Sequence, residues 1–310
     1  MKYSFVLPAY KARFFKEAID SILNQTYADF ELIIVNDASP EDLGSIVRSY
    51  DDDRVRYYVN EHNIGGKNLV AQWNYSLEYA KGEYIILASD DDVYHPQYLE
   101  KMDKLVVKYP DVGVYRPRVQ YIDDAGNIIY IAGLLKEYTT QIEFVFMREM
   151  VGSGIPFYIF NRKKLNSING FVNYPLAWYS DDATAIYLAD NGIVFSSDIL
   201  FSFRHSDINI SNKRNTYEVL KQKIFAAEQF YSDLLDIVKK ESTTDPVSHF
   251  YVDYLRRDVE TRRVIHVGDL FHNTSIVDSI RCLPLLRRID VFNIKKILIL
   301  YCKTMIKKIL

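Results

Sequence analysis

Residues 84–92 read Tyr84-Ile85-Ile86-Leu87-Ala88-Ser89-Asp90-Asp91-Asp92, a short apolar run that stops on three consecutive carboxylates. Aromatic and β-branched residues at this density, closed by a polar cluster, predict a buried strand, because a helix needs a longer periodic segment. Adjacent aspartates repel one another and raise one another's proton affinity. Either this run is a solvated acidic turn, as Asp51-Asp52-Asp53 reads, or a bound cation compensates it. The apolar strand before it and the Pro96-led helix after it favour the cation. In extended backbone Asp90 and Asp92 would project to one side, roughly 6–7 Å apart. One could then meet a metal and the other a ribose or a water ligand. Mn²⁺ or Mg²⁺ is expected, since hard divalent ions take oxygen ligands and bridge phosphates.

Working outward, residues 3–7, 30–35 and 55–59 have the same strand character as 84–88, and helical patterns at 14–23, 41–50 and 68–79 separate them. Strand and helix in alternation predict parallel pairing and a doubly wound α/β sheet, whose ligands bind at the carboxyl ends of the strands. Beyond residue 111 the alternation fades. Residues 112–123 and 128–134 read as two strands joined by a turn containing Gly126-Asn127, and 158–161 and 193–203 as further strands with a helix over 182–191. From residue 217 onward the chain reads helical, at 219–238 and 247–267.

Three further groups stand at element ends. Asp37, in Asn36-Asp37-Ala38-Ser39, follows the second strand, where a carboxylate could accept from a base or ribose; alternatively Asp37 or Ser39 caps the next helix. Trp178-Tyr179-Ser180-Asp181-Asp182 opens a helix, and a carboxylate in a first turn is stabilised in the charged form a general base requires. Capping would place it equally well. Phe203-Arg204-His205 closes the last clear strand, where Arg204 and His205 could neutralise a leaving diphosphate or His205 could complete a metal shell.

Composition narrows the function. With 38 Lys and Arg against 41 Asp and Glu, the net charge of -3 argues against a nucleic-acid reader, which needs a basic excess. Cys282 and Cys302 have no CxxC or His partner, which suits a reducing cytosol. Pro8 interrupts the N-terminus too early for a signal-peptide core, and no apolar run reaches about 20 residues. The expected location is cytoplasmic, or peripheral on the cytosolic face of a membrane. Pro8-Ala9-Tyr10-Lys11 stands where a nucleotidyltransferase or dehydrogenase carries a glycine-rich phosphate loop, which speaks against both.

In this order the motifs resemble family 2 glycosyltransferases of the GT-A fold, over residues 1–211. The segments carrying the resemblance are Phe5-Val6-Leu7-Pro8-Ala9-Tyr10, Glu31 to Ser39, Asn63-Ile64-Gly65-Gly66 with Asn74, Ser89 to Pro96, Asp181-Asp182, and Phe203-Arg204-His205. The resemblance implies an inverting, metal-dependent transfer from a nucleotide diphosphate sugar, UDP-linked for preference, to a saccharide or lipid-linked acceptor. Pro8, Tyr10, Asp37, Asn63, Gly65, Asn74, Asp90, Asp91 and Arg204 would bind the nucleotide sugar. Asp91, Asp92 and His205 would hold Mn²⁺ or Mg²⁺, and Asp182 would be the base, with Asp181 the alternative. Trp73 precedes Asn74 where the family usually has Arg, and Asp181 stands where it more often has Glu. A member that recognises a glycan without turnover is the competing binding-class reading, which the retained acids oppose. Residues 1–215 are expected to form the catalytic domain, with nucleotide-sugar and acceptor halves meeting near residue 110, and 216–310 a helical extension. The extension ends in a basic amphipathic stretch: Ile294, Ile297, Leu298, Tyr301, Met305 and Ile309 share one helical face, and Lys295, Lys296, Lys303 and Lys307 another. Such a stretch would lie on anionic lipid, or pack its apolar face on the preceding helices.

Overall fold

β1 (Tyr3–Ala9), β2 (Phe30–Asn36), β3 (Val55–Val59) and β4 (Tyr84–Leu87) form a parallel sheet in the order β3-β2-β1-β4. Every residue of β2 is buried, as expected of a central strand covered on both faces. Pro8 is tolerated inside β1 for a local reason. Ala9 O accepts from Asp37 N beyond β2 and Val6 O from Ala88 N beyond β4. Alternate residues therefore face alternate neighbours, and Pro8 faces β4, whose pairing has already stopped at Leu87. The structure, a computed structural model, describes residues 1–206, 214–242, 245–286 and positions 296, 299, 302 and 306.

α1 (Phe15–Leu23), α2 (Leu43–Arg48) and α3 (Leu69–Leu77) are the crossovers between these strands. α1 buries Phe15, Ala18, Ile19 and Ile22, spaced three and four apart on one face. The cap of α2 is Asp42, whose side chain accepts from Ser45 N at 3.0 Å, so neither Asp37 nor Ser39 serves that purpose.

The sheet continues β4-β9-β6-β10-β5, through β5 (Val93–Tyr94), β6 (Val114–Ile122), β9 (Ile159–Asn161) and β10 (Ile193–Arg204). β6 and β10 are parallel, whereas β9 runs antiparallel to both β4 and β6 and joins the two halves. β7 (Ile128–Ile131) pairs antiparallel with β6 through the anticipated turn, and Gly126 takes φ +84 there. β8 (Tyr138–Thr139) pairs with β10. α4 (Tyr98–Lys108), α5 (Gln141–Met147), α6 (Arg162–Ser167) and α7 (Ser180–Leu188) complete this part. The α/β sheet with parallel strands at its centre is the expected GT-A architecture.

The described residues cluster into two compact units, 1–173 with 180–206, and 174–179 with the described part of 207–310. In the second, α8 (Tyr217–Lys240), α9 (Pro246–Leu270) and α10 (Ile276–Leu286) close on Leu220, Ile224, Val267, Phe271, Cys282 and Leu286. The segment 174–179 packs on these helices: Tyr179 stacks on Phe230 at 4.5 Å and Lys223 lies 4.0 Å over the Trp178 ring. Both aromatics are thereby committed to packing within this unit. The segment carries positive φ at Leu176, Ala177 and Tyr179. No described helix is long and apolar enough to cross a membrane. Almost all of the basic amphipathic stretch lies outside the described residues.

Candidate active site

The ends of β1, β2, β4 and β10 are tied together by carboxylates. The strand preceding the acidic triplet ends at Leu87 and the backbone bends at Asp90 and Asp91. The two-residue period is lost there, so Asp90 and Asp92 do not share a side as extended backbone would require. Asp90 Oδ2 instead accepts from Tyr10 N at 2.9 Å and Lys11 N at 2.8 Å, pinning the loop after β1. Asp92, 0% exposed, accepts from the Ser89 hydroxyl and from Arg204 N at 2.8 Å, pinning the end of β10. Asp91 stands half-buried between them. Burial raises the proton affinity of all three: Asp90 rises, Asp92 rises well above the usual range, and Asp91 is pushed up to about 6 by burial and then by the charge of Asp90.

Arg204 is not exposed as a phosphate contact would require. Its guanidinium is 1% exposed and directed into the protein: Nε donates to Asp91 O at 2.9 Å, Nη1 to Asp123 O at 3.1 Å, and Nη2 pairs with Glu17 at 2.7 Å. Five donors in a fixed fork suit it to bracing three loops at once, and this replaces the expected phosphate contact. His205 is exposed and anchored by its own N–H to Ile122 O at 2.8 Å. Among the described residues no three His, Cys, Asp or Glu side chains converge on a metal position, so His205 completes no ligand set with Asp91 and Asp92.

Asp37 organises the loop after β3. Oδ1 accepts from Asn60 Nδ2 at 2.7 Å and Ile64 N at 2.9 Å, and Oδ2 from Gly65 N at 2.7 Å, leaving Oδ2 one lone pair. A Cβ at Gly65 would sit 2.9 Å from that Oδ2, so glycine permits the approach. Asn63 closes the same loop by donating to Asp37 O at 3.0 Å. Tyr10 presents an exposed ring above these strand ends, and its carbonyl accepts from Ser39 Oγ at 2.6 Å. Asn74 is not gathered with them. Its amide clasps Phe171, donating to the carbonyl at 3.1 Å and accepting from the N–H at 2.8 Å, a structural use in place of the expected nucleotide contact.

Asp181 and Asp182 open α7. Asp182 is buried; Oδ2 takes Arg148 Nη1 at 3.3 Å, and Oδ1 has no hydrogen-bond partner among the described residues. Asp181 is half-buried and pushed up to about 7, by burial first and then by the charge of Asp182. The arrangement offers two acidic centres, one at the end of β4 and one at the start of α7.

The family model for glycosyl transferase family 2 matches residues 4–168. The chain belongs to glycosyl transferase family 2. An uncharacterized glycosyltransferase of Rickettsia typhi is 28% identical over 264 residues, 76% of this chain and 80% of that protein. Among solved structures, residues 1–349 of Staphylococcus aureus TarS in complex with UDP-GlcNAc superpose with a TM-score of 0.63 at 15% identity, covering 98% of this chain and 90% of that one. The mannosyltransferase PcManGT of Pyrobaculum calidifontis, in complex with GDP-Man and Mn²⁺, superposes at 0.54 with 14% identity, covering 98% and 80%. The family model ends before Asp181, so the second acidic centre lies outside the matched residues.

Sequence reading did not single out Arg148, Arg116 or Tyr121 of this glycosyltransferase. Arg148 pairs with Asp182, and Arg116 is 1% exposed within β6. A charge inside the apolar pattern of 114–122 was the available signal for Arg116, since such residues are rarely buried without a task. Nothing in the sequence distinguishes Tyr121 among 25 tyrosines.

Proposed function

We propose that this glycosyltransferase transfers a sugar, with inversion, from a nucleotide diphosphate sugar to a hydroxyl of a saccharide or lipid-linked acceptor. The observation that carries the reading is the buried triplet Asp90–Asp92, whose raised proton affinities mark a site that lacks positive charge. Lys11 and Arg204 oppose only part of it. Two carboxylates, Asp91 and Asp92, would hold a hard divalent cation, which prefers oxygen ligands. Bound there, Mn²⁺ or Mg²⁺ would supply the positive charge that a departing diphosphate needs. The nucleoside lies over Tyr10 and the loop organised by Asp37, whose free Oδ2 lone pair suits a base N–H. TarS with UDP-GlcNAc and PcManGT with GDP-Man support a nucleotide-sugar donor, and we take UDP as the first choice.

Arg148 positions the Asp182 carboxylate through Oδ2, and the unclaimed Oδ1 accepts the proton of the acceptor hydroxyl. The acceptor oxygen attacks the anomeric carbon from the face opposite the diphosphate. The bond from that carbon to the phosphate oxygen breaks, and its electron pair leaves with the nucleoside diphosphate. One displacement gives the inverted product. Residues 1–215 constitute the catalytic domain in this reading and 216–310 its extension.

The test is release of nucleoside diphosphate from UDP-glucose, UDP-N-acetylglucosamine and GDP-mannose with Mn²⁺ and with EDTA. Turnover of at least one donor that EDTA stops is expected, with NMR of the product showing inversion. Turnover undiminished by EDTA would overturn the metal requirement, and a retained configuration the single displacement.

A further inference from the structure

Tyr121 lies near the carboxyl end of β6, half-buried, with its ring centroid 5.4 Å from Tyr130, 5.4 Å from Phe203 and 6.3 Å from Phe157. Its partner across the parallel pairing with β10 is Phe203, and the next residue, Arg204, donates its N–H to Asp92. This register brings Tyr121 alongside the first acidic centre. On its other side, a Cβ built at Gly152 would stand 2.7 Å from the Tyr121 hydroxyl, and Gly152 holds φ +66. Only glycine allows that approach in that conformation.

Gly152 is held in place by an unusual device. Arg116 is buried, yet its donors go to neutral oxygens: Gly152 O at 2.7 Å, Val151 O at 2.5 Å and Tyr158 Oη at 3.2 Å. Its guanidinium lies 5.0 Å from the Phe157 ring centre and 5.3 Å from that of Tyr158. Burying a cation for the sake of two carbonyls is costly unless the loop they belong to must not move. The same loop begins at Arg148, whose carbonyl accepts from Val151 N at 3.2 Å and whose Nη1 donates to Asp182 Oδ2 at 3.3 Å. Tyr121 is thus tied to the first acidic centre by the register of β6 with β10 and to the second through the loop 148–152. Burial raises its proton affinity first; Arg116 opposes the rise, and Tyr130, Asp181 and Asp92 add to it, so the phenol keeps its proton. Among the described residues it has no hydrogen-bond partner, and with carboxylates on both sides its available role is donor.

Resting on the glycosyltransferase reading above, we propose that Tyr121 donates a hydrogen bond to a ring hydroxyl of the sugar being transferred, and that Gly152 and Arg116 keep it there. The diphosphate belongs at Asp91 and Asp92 and the acceptor at Asp182, so the group between them is the transferred sugar. Tyr121 is thus a specificity-determining residue of the donor-sugar subsite, distinct from the nucleoside-binding loops at Tyr10 and Asp37.

Tyr121→Phe keeps the packed ring and removes only the hydroxyl. With Mn²⁺ and whichever of UDP-glucose, UDP-N-acetylglucosamine or GDP-mannose the wild type turns over, kcat/KM is expected to fall about tenfold, the scale of one lost hydrogen bond. The Kd of the free nucleoside diphosphate should stay within about twofold, because it carries no sugar. Gly152→Ala, which displaces the hydroxyl, should lower kcat/KM likewise, and adding Tyr121→Phe to it should cost little more. An unchanged kcat/KM in Tyr121→Phe, or an equal loss of affinity for the free nucleoside diphosphate, overturns the inference while leaving the glycosyltransferase reading standing. A wild type inactive on every donor overturns that reading first, and this one with it, before any variant is compared.

Discussion

Asp51-Asp52-Asp53 and Asp90-Asp91-Asp92 are the same tripeptide in two settings. The first lies before β3 at the surface, where Asp51 and Asp53 are exposed and Asp52 meets the Arg54 guanidinium at 2.6 Å. That hydrogen bond holds the Asp52 carboxyl below its usual range. The second follows a buried strand, and burial drives its carboxyls in the opposite direction. Identical residues give a satisfied turn in one place and an electrostatic deficit in the other, and the proposed chemistry uses only the deficit.

The sharpest way to break this contrast is to remove each triplet in turn. Asp91→Ala and Asp92→Ala should each lower turnover by about 10³-fold or more, since positioned charge at a departing group contributes on that scale. Asp51→Ala and Asp53→Ala should leave it within about twofold. Comparable losses from both triplets, measured as kcat/KM, would remove the distinction. The second acidic centre gives the next largest effect. Asp182→Asn should reduce kcat by about 10²–10⁴-fold with nucleoside diphosphate affinity unchanged, because proton transfer alone is lost. Asp181→Asn should cost less. The reverse order in a kcat comparison would move the base to Asp181.

The smallest effect concerns stability. Asp91 and Asp181 have folded-state proton affinities raised above the ordinary aspartate value of about 3.9, up to about 6 and about 7. A carboxyl raised in this way contributes most below the unfolded value, and its contribution is lost as pH rises through the folded one. In EDTA the melting temperature should therefore rise by roughly 2–4 °C between pH 8 and pH 6. Saturating Mn²⁺ should stabilise the protein most at pH 8 and narrow that difference. Asp181→Asn should remove most of the EDTA difference and Asp91→Asn a smaller part, whereas Asp53→Asn should leave it unchanged. A wild-type profile in EDTA that rises toward pH 8 would mean the triplet carries no deficit.

Much of the sheet was legible because its strands are long apolar runs punctuated by turn residues. β1 to β4, β6, β7, β9 and β10 all fall where the residue pattern places them. β5 and β8 are two residues long and exist only because β10 offers them an edge. α5 was missed because Ile142, Phe144 and Val145 give no clean helical period, although Thr140 and Glu143 form a capping box that marks its start. At the site, the carboxylates announced themselves through their position after strands. What they bond to did not, because the direction of Arg204, the clasp of Asn74 and the approach of Gly152 to Tyr121 depend on packing between segments distant in sequence.

The segment 174–179 has a bearing on how this chain could be divided by recombination. Leu176, Ala177 and Tyr179 each hold a left-handed backbone that costs a non-glycine residue about 1–2 kcal/mol. Their contacts with α8 and α9 offset that cost, although these helices are encoded dozens of codons downstream. A crossover placed after residue 206 would separate the segment from the helices it was selected with. Exchange of the helical region between relatives therefore succeeds only when both stretches travel together, one of them inserted into the middle of the donor's catalytic sequence.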